Sequence, residues 1–119
     1  MGTSRLIRLR SHIDGRGRLT VAEAQRDVPF LIRRAFWIDA VPDGAERGGH
    51  AHAKCEQVIV CIAGAVTIIA GDCGYNLHEP DVAVYVPTHT QIQMRDWLPG
   101  SVLLVLCSEY YDATDYVYD

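Results

Sequence analysis

The chain has 119 residues and a mass of 13.2 kDa, a size that holds one domain, 1–119, and leaves no room for a second. Hydrophobic residues make up 49% and charged residues 22%, which excludes intrinsic disorder, collagen-like repetition and a coiled coil. A net charge of −4 and a pI near 5.6 argue against a nucleic-acid or membrane-surface binder, although a few arginines in one pocket can still oppose that sign. Cys55, Cys61, Cys73 and Cys107 form no CxxC pair, and runs such as VIVCI and VLLVLC read as settings for buried free thiols. The opening MGTSRLIRLR has no apolar leader core, Leu6 breaks a myristoylation pattern, and no stretch approaches the ~18 apolar residues of a membrane span. The expectation is a reduced, cytoplasmic protein.

In chain order, RLIRLR alternates polar and apolar residues as a half-buried strand does, and it ends at the turn cluster DGRG. TVAEAQRD reads either as a short helix, capped by Thr20 with Glu23 closing the capping box, or as a strand and its turn. Its brevity favours the strand. FLIRRAFWI follows Pro29 as a strand, and VPDGAERGG breaks the chain. HAHAKCEQVIVCIAGAVTIIAG reads as two strands joined around Gly64, and CGYNLHEPD as a turn-bearing segment. VAVYVP, IQM and VLLVLCSEYY complete the apolar runs, the last opening after Pro99 and Gly100. Short strands with such punctuation predict an all-β fold, and a double-sheet jelly roll suits this length.

The chemistry concentrates in GGHAHAKCEQ. Residues i and i+2 of a strand share a face, so His50 and His52 project together, roughly 6–7 Å apart at a rise of about 3.3 Å per residue. Ala51 and Ala53 then face the other way. If the strand stays regular, Glu56 joins the histidine face, with Gln57 beside it. Three readings follow: two nitrogen ligands of a metal, an acid–base pair working near neutral pH, or two hydrogen-bonded structural histidines.

The spacing from Gly44 through His50, His52 and Glu56 resembles the first cupin motif. In the segment matching the second motif, VPTHTQIQM, Pro87 is in place. However, Ile92 takes the histidine position and His89 stands where glycine is usual, so a metal would need an improvised set of His50, His52, Glu56 and His89. DGRGRL, PFLIRRAFWI, ERGGHAHAKCEQVIVCIAGAVTI, VYVPTHTQIQM and VLLVLCSEYYDATDYVYD extend the likeness over nearly the whole chain. Together they resemble the cupin family of sugar-nucleotide 3,4-ketoisomerases, which act on dTDP-4-dehydro-6-deoxyglucose in deoxysugar biosynthesis.

The resemblance implies a jelly roll (the cupin double-stranded β-helix) that needs no metal or other cofactor. It also implies a nucleotide-linked deoxysugar substrate, dTDP being the expected nucleotide, and a homodimer in which N-terminal strands may be exchanged. His50 and His52 carry the proton transfers, His50 slightly preferred at C3 and His52 at C4, with the reverse assignment open. Arg34 and Arg47 match family arginines, and with Arg16 in the RG turn they are candidates to meet the pyrophosphate. Glu56, Gln57 and Gln91 are the remaining expected substrate contacts. Tyr110, Tyr111 and Tyr116 read as packing on the barrel or on the dimer mate. The chain departs from the family in three places: Ala53, with Lys54 next, replaces a lysine; Gln91-Ile92 replaces an aromatic–basic pair; and the tail ends at DYVYD. A metal-dependent cupin oxygenase or isomerase, a non-catalytic nucleotide-sugar-binding cupin and a 3,5-epimerase stay open as alternatives.

Overall fold

The computed structural model describes residues 3–118. The chain begins with β1 (Arg5–Arg8), then a hairpin of β2 (Arg10–Asp14) and β3 (Gly17–Val21), then β4 (Arg34–Ile38) and β5 (Arg47–His52). It continues through β6 (Gln57–Ala63), β7 (Val66–Ala70), β8 (Cys73–Leu77), β9 (Val82–Val86), β10 (Ile92–Arg95) and β11 (Val102–Cys107). A 3-10 turn at Ala113–Asp115 leads into β12 (Tyr116–Val117). Two five-stranded antiparallel sheets, ordered β1-β9-β6-β11-β4 and β12-β5-β10-β7-β8, face each other as a jelly roll, with the β2–β3 hairpin apart from both. The all-β expectation is met.

Burial explains why β6 and β11 read as continuous apolar runs. Ile59, Cys61, Leu103, Val105 and Cys107 point between the sheets, into a core closed from the other side by Val66, Ile68, Ile92 and Met94. The alternate residues Val58, Val60 and Leu106 face outward and are covered by Leu9, Val28 and Phe30. A strand buried on both faces loses the period-2 alternation that otherwise marks a strand.

Two expectations about elements need correction. The segment from His50 to Gly71 makes three strands, because β5 ends at His52 and an intervening turn precedes β6. CGYNL within CGYNLHEPD is itself a strand, β8, paired residue for residue with β7. TVAEAQRD follows the favoured reading: Thr20 and Val21 complete β3, a turn with Gln25 at φ 63° follows, and the segment holds no helix.

The site depends on one backbone irregularity. Ile92 pairs with His50 and Gln93 with Gly48, so the register shifts and Gly49 is bulged out. Gly48 has φ +97°, and a Cβ there would lie 2.5 Å from the Ile92 carbonyl oxygen. Only glycine permits that approach.

Candidate active site

His50 and His52 open into one cavity of about 110 Å³ between the two sheets. Their ring centroids lie 4.9 Å apart and nearly perpendicular, closer than strand rise alone predicts. His52 is the deeper, at 3% exposure, whereas His50 is half-buried toward the mouth. Phe36 and Ile38 from β4 and Met94 from β10 supply apolar wall. Tyr116, opposite His52 in the β12–β5 register, packs its ring 4.5 Å from His50 and 4.7 Å from His52.

Behind His52 stands Asp115, itself buried, with its Oδ2 3.1 Å from His52 Nδ1. Two backbone amides hold this carboxylate: Lys54 N–H donates to Oδ1 at 2.6 Å and Cys55 N–H to Oδ2 at 3.2 Å. A carboxylate cradled by donors is an acceptor only. Nδ1 of His52 therefore carries the proton, and the Nε2 lone pair is left facing the cavity. The Gln57 amide N–H approaches that nitrogen at 3.5 Å. Burial pushes the His52 proton affinity below its ordinary value; Asp115 pulls it back up, while the neighbouring charges of His50 and Arg34 push it down. The result is a neutral imidazole, oriented by a carboxylate and presenting a base to an enclosed space.

The other expected residues divide. Gln57 lines the cavity, and its buried Oε1 has no hydrogen-bond partner among the described residues, which leaves an acceptor for a bound hydroxyl. Arg47 stands exposed at the mouth and lines it. Glu56 does not join the histidines: the strand ends before it, and its carboxylate accepts a hydrogen bond from the Tyr85 hydroxyl instead. Gln91, just before β10, lies in a separate depression with Gly49, Gly71 and Gln93, on the opposite side from Ile92, which faces the cavity. Arg34 sits over the rings of Phe36 and Tyr111, at 5.4 and 5.7 Å, and is not part of the cavity wall. Arg16, at the hairpin tip, is held by Asp14 at 2.6 Å and is not brought to this chain's own cavity.

The improvised metal set does not assemble. Glu56 is turned to Tyr85, His89 is an exposed turn residue at φ 60°, and Ile92 places hydrocarbon opposite His50. The cavity face thus offers two imidazoles and no carboxylate, short of the three protein ligands a catalytic zinc site uses.

Sequence reasoning missed Asp115 and treated Tyr116 as packing alone. The available signal was the tail spacing YYDATDY, in which Asp112 caps the 3-10 turn by accepting from Thr114 N–H at 2.9 Å and so aims Asp115 inward.

Comparisons with known proteins agree with this architecture. The profile of the family FdtA: WxcM-like, C-terminal, matches residues 2–119. A TDP-4-oxo-6-deoxy-alpha-D-glucose-3,4-oxoisomerase of Aneurinibacillus thermoaerophilus is 36% identical over 118 residues, covering 96% of this chain and 85% of the relative. The sugar 3,4-ketoisomerase QdtA of Thermoanaerobacterium thermosaccharolyticum, solved with TDP, superposes with a TM-score of 0.94 at 38% identity, over 98% of this chain and 88% of that one. The WlaRB TDP-quinovose 3,4-ketoisomerase of Campylobacter jejuni gives 0.94 at 32% identity, over 100% of this chain and 95% of that one. A dTDP-4-dehydrorhamnose 3,5-epimerase of Bacillus anthracis, at 18% identity and a TM-score of 0.83, shares the fold alone. The chain belongs to the FdtA family, alongside the sugar-nucleotide 3,4-ketoisomerases that it matches.

Proposed function

We propose that this protein moves the ketone of a TDP-linked 4-keto-6-deoxyhexose from C4 to C3, by acid–base catalysis that uses no metal. The observation that carries this reading is the Asp115–His52 pair, in which the imidazole turns its unprotonated Nε2 toward a cavity shared with His50. A C4 ketone acidifies the C3 proton, and His52 Nε2 accepts it. The C–H electron pair becomes the C3–C4 double bond, and O4 takes up the charge. Protonation at C4, from His50 at the open end, restores a carbonyl at C3 as the hydroxyl proton passes from O3 to O4. Asp115 stabilises the imidazolium that His52 becomes. The geometry favours His52 at C3 over the opposite assignment, because only His52 has a buried carboxylate behind it.

Arg47 is suited to the pyrophosphate, being a cation at the mouth that forms no ion pair with any described residue. Gln57 suits a sugar hydroxyl. A homodimer accounts for the remaining candidates. The β2–β3 hairpin stands apart from both sheets with Ile13 77% and Leu19 60% exposed, and Trp37 adds a 66% exposed ring on the outer face of the first sheet. A second copy accepting this hairpin would receive Arg16 with it. Sedimentation should therefore give a dimer.

The test is incubation of chelator-treated protein with TDP-4-keto-6-deoxyglucose in deuterated buffer, followed by NMR. The expected result is a 3-keto product carrying deuterium at C4. Tight binding with no C3–C4 exchange over hours would mean a binding module, and loss of activity on chelation with return on one added metal would overturn the metal-free mechanism.

A further inference from the structure

A second cluster of chemistry lies behind His52, on the side away from the cavity. His52, Cys55 and Asp115 each offer a donor atom, and these atoms all lie within 4.8 Å of one another. His52 Nδ1 and Asp115 Oδ2 are 3.1 Å apart, and the three residues are 3%, 2% and 7% exposed. A tetrahedral zinc ion, with bonds of about 2.0 to 2.3 Å, needs donors roughly 3.3 to 3.8 Å apart, so the cluster is within small adjustments of a ligand set. The His52-x-x-Cys55 spacing folds imidazole and thiol onto one turn, and the 3-10 turn brings the carboxylate. The amides of Lys54 and Cys55 already fix that carboxylate, as supporting groups do in metal centres.

We propose that His52, Cys55 and Asp115 form a site for a thiophilic divalent cation, zinc being the type case, and that its occupation switches the enzyme off. Nitrogen, sulfur and oxygen donors of this kind suit zinc, with water in the fourth position. This is not the set the cupin motif suggests, which would gather ligands on the cavity face. Binding replaces the thiol proton of Cys55 with the metal and releases it to solvent, while the ring proton of His52 leaves Nδ1 and is taken up at Nε2, so the ligand stays a neutral imidazole. Asp115 then ligates the ion instead of accepting from the ring, and Nε2, now an N–H, has no lone pair left to act as a base. The effect on turnover rests on the function proposed above; the binding does not.

A path to the site exists. An open depression lined by Lys54, Glu109, Tyr110, Tyr111, Asp112 and Asp115 reaches the carboxylate from outside the barrel. Glu109 and Asp112 set negative charge there against Lys54. Arg34, beside the Cys55 and Cys107 thiols, is the cation that opposes binding.

The test titrates chelator-treated, full-length protein with Co2+ and then displaces it with Zn2+. One equivalent of Co2+ should produce a thiolate-to-cobalt charge-transfer band that Zn2+ removes, and Zn2+ should lower turnover roughly tenfold or more. C55A should lose the band, and Zn2+ should leave its turnover at its own metal-free rate. C73S, which removes the exposed thiol, should behave as wild type. No band in wild type, or a band that survives C55A, overturns the site. If C55A does not fold, cadmium NMR of wild type decides: a resonance in the range of a single-sulfur site supports it, and one in the oxygen–nitrogen range overturns it. A band without any isomerase activity would leave the metal site standing and remove the proposed function, and the converse result would do the reverse.

Discussion

The two sheets of the barrel solve different problems. In β1-β9-β6-β11-β4, the central strands are buried on both faces, no strand residue has positive φ, and the one register shift sits at the end of β11. In β12-β5-β10-β7-β8, the strand bearing both histidines contains Gly48 and Gly49 at φ +97° and +83°, is itself bulged at Gly49 against β10, and is flanked by a strand of two residues. The first sheet is a platform. The second gives up regular pairing where it must aim side chains, which is the usual position of bulges beside sites. Stability and chemistry should therefore separate by sheet, and substitutions can force the issue.

The largest expected effect is on the histidine strand. H52N keeps a hydrogen-bonding side chain but removes the base, and turnover should fall by roughly two to four orders of magnitude, the usual worth of a positioned acid or base. H50N should fall in the same range. Melting temperatures should change little beside that loss. Near-normal turnover in both variants would take the histidines out of the mechanism.

The complementary change is L103A in the platform. Leu103 is fully buried between the sheets, and truncating such a leucine costs about 2 to 5 kcal/mol of stability. Urea unfolding should record that loss, while the folded fraction keeps its turnover per molecule. A fall in specific activity as large as that of H52N would show that the sheets are not separable.

D115N tests the link between the C-terminal turn and the second sheet. The amide can still contact Nδ1, but it no longer enforces the tautomer with Nε2 unprotonated or stabilises an imidazolium. A loss of roughly 10- to 100-fold in kcat is expected, short of the largest known for an aspartate that orients a catalytic histidine. The pH profile adds a readout that mere structural damage would not move. Because burial holds His52 below the ordinary 6.5, its neutral, active form persists below that pH, and the acid limb of kcat/KM should lie below 6.5. Asp115 pulls the value up, so removing its charge should carry the limb further down. The same depression means that His52 favours the folded state fully above 6.5 and loses that contribution as pH falls below it.

How much of this could be read from the chain follows from the same contrast. The platform strands announce themselves as apolar runs, and the HxH spacing correctly puts both rings on one face, because His50 to His52 lies beyond the Gly49 bulge and keeps period 2. What failed were extrapolations across an irregularity. Glu56 was assigned to the histidine face by continuing a strand that stops at His52. Gln91 and His89 follow from the likeness of VPTHTQIQM to the second motif, yet His89 stands in an exposed turn and Gln91 lines a separate depression. Asp115 is hard to read for a different reason. The tail spacing YYDATDY signals a turn, but the partner of Asp115 is 63 residues away, and no local pattern reports which side chain that 3-10 turn meets.

The smallest effect concerns Ile92, where the chain puts hydrocarbon in place of the family's basic residue. Ile92 is 3% exposed, pairs directly with His50 and lines the cavity, whereas Gln91 does not. Of the two departures, then, only Ile92 faces the cavity. I92H adds a donor beside His50 on the same wall. A new hydrogen bond to a substrate hydroxyl has a net worth of about 0.5 to 1.5 kcal/mol, so kcat/KM should rise about two- to tenfold. Without substrate the same imidazole is buried beside Met94 with no assigned partner, and stability should drop by about 1 to 3 kcal/mol. Q91W should leave kcat/KM nearly unchanged. Chelator belongs in every assay, since a third imidazole on this face would move the site toward a metal centre. If Q91W raises kcat/KM and I92H does not, part of the substrate other than the reacting ring lies over the outer depression beside Gly49 and Gly71, and Ile92 is not a determinant of sugar binding.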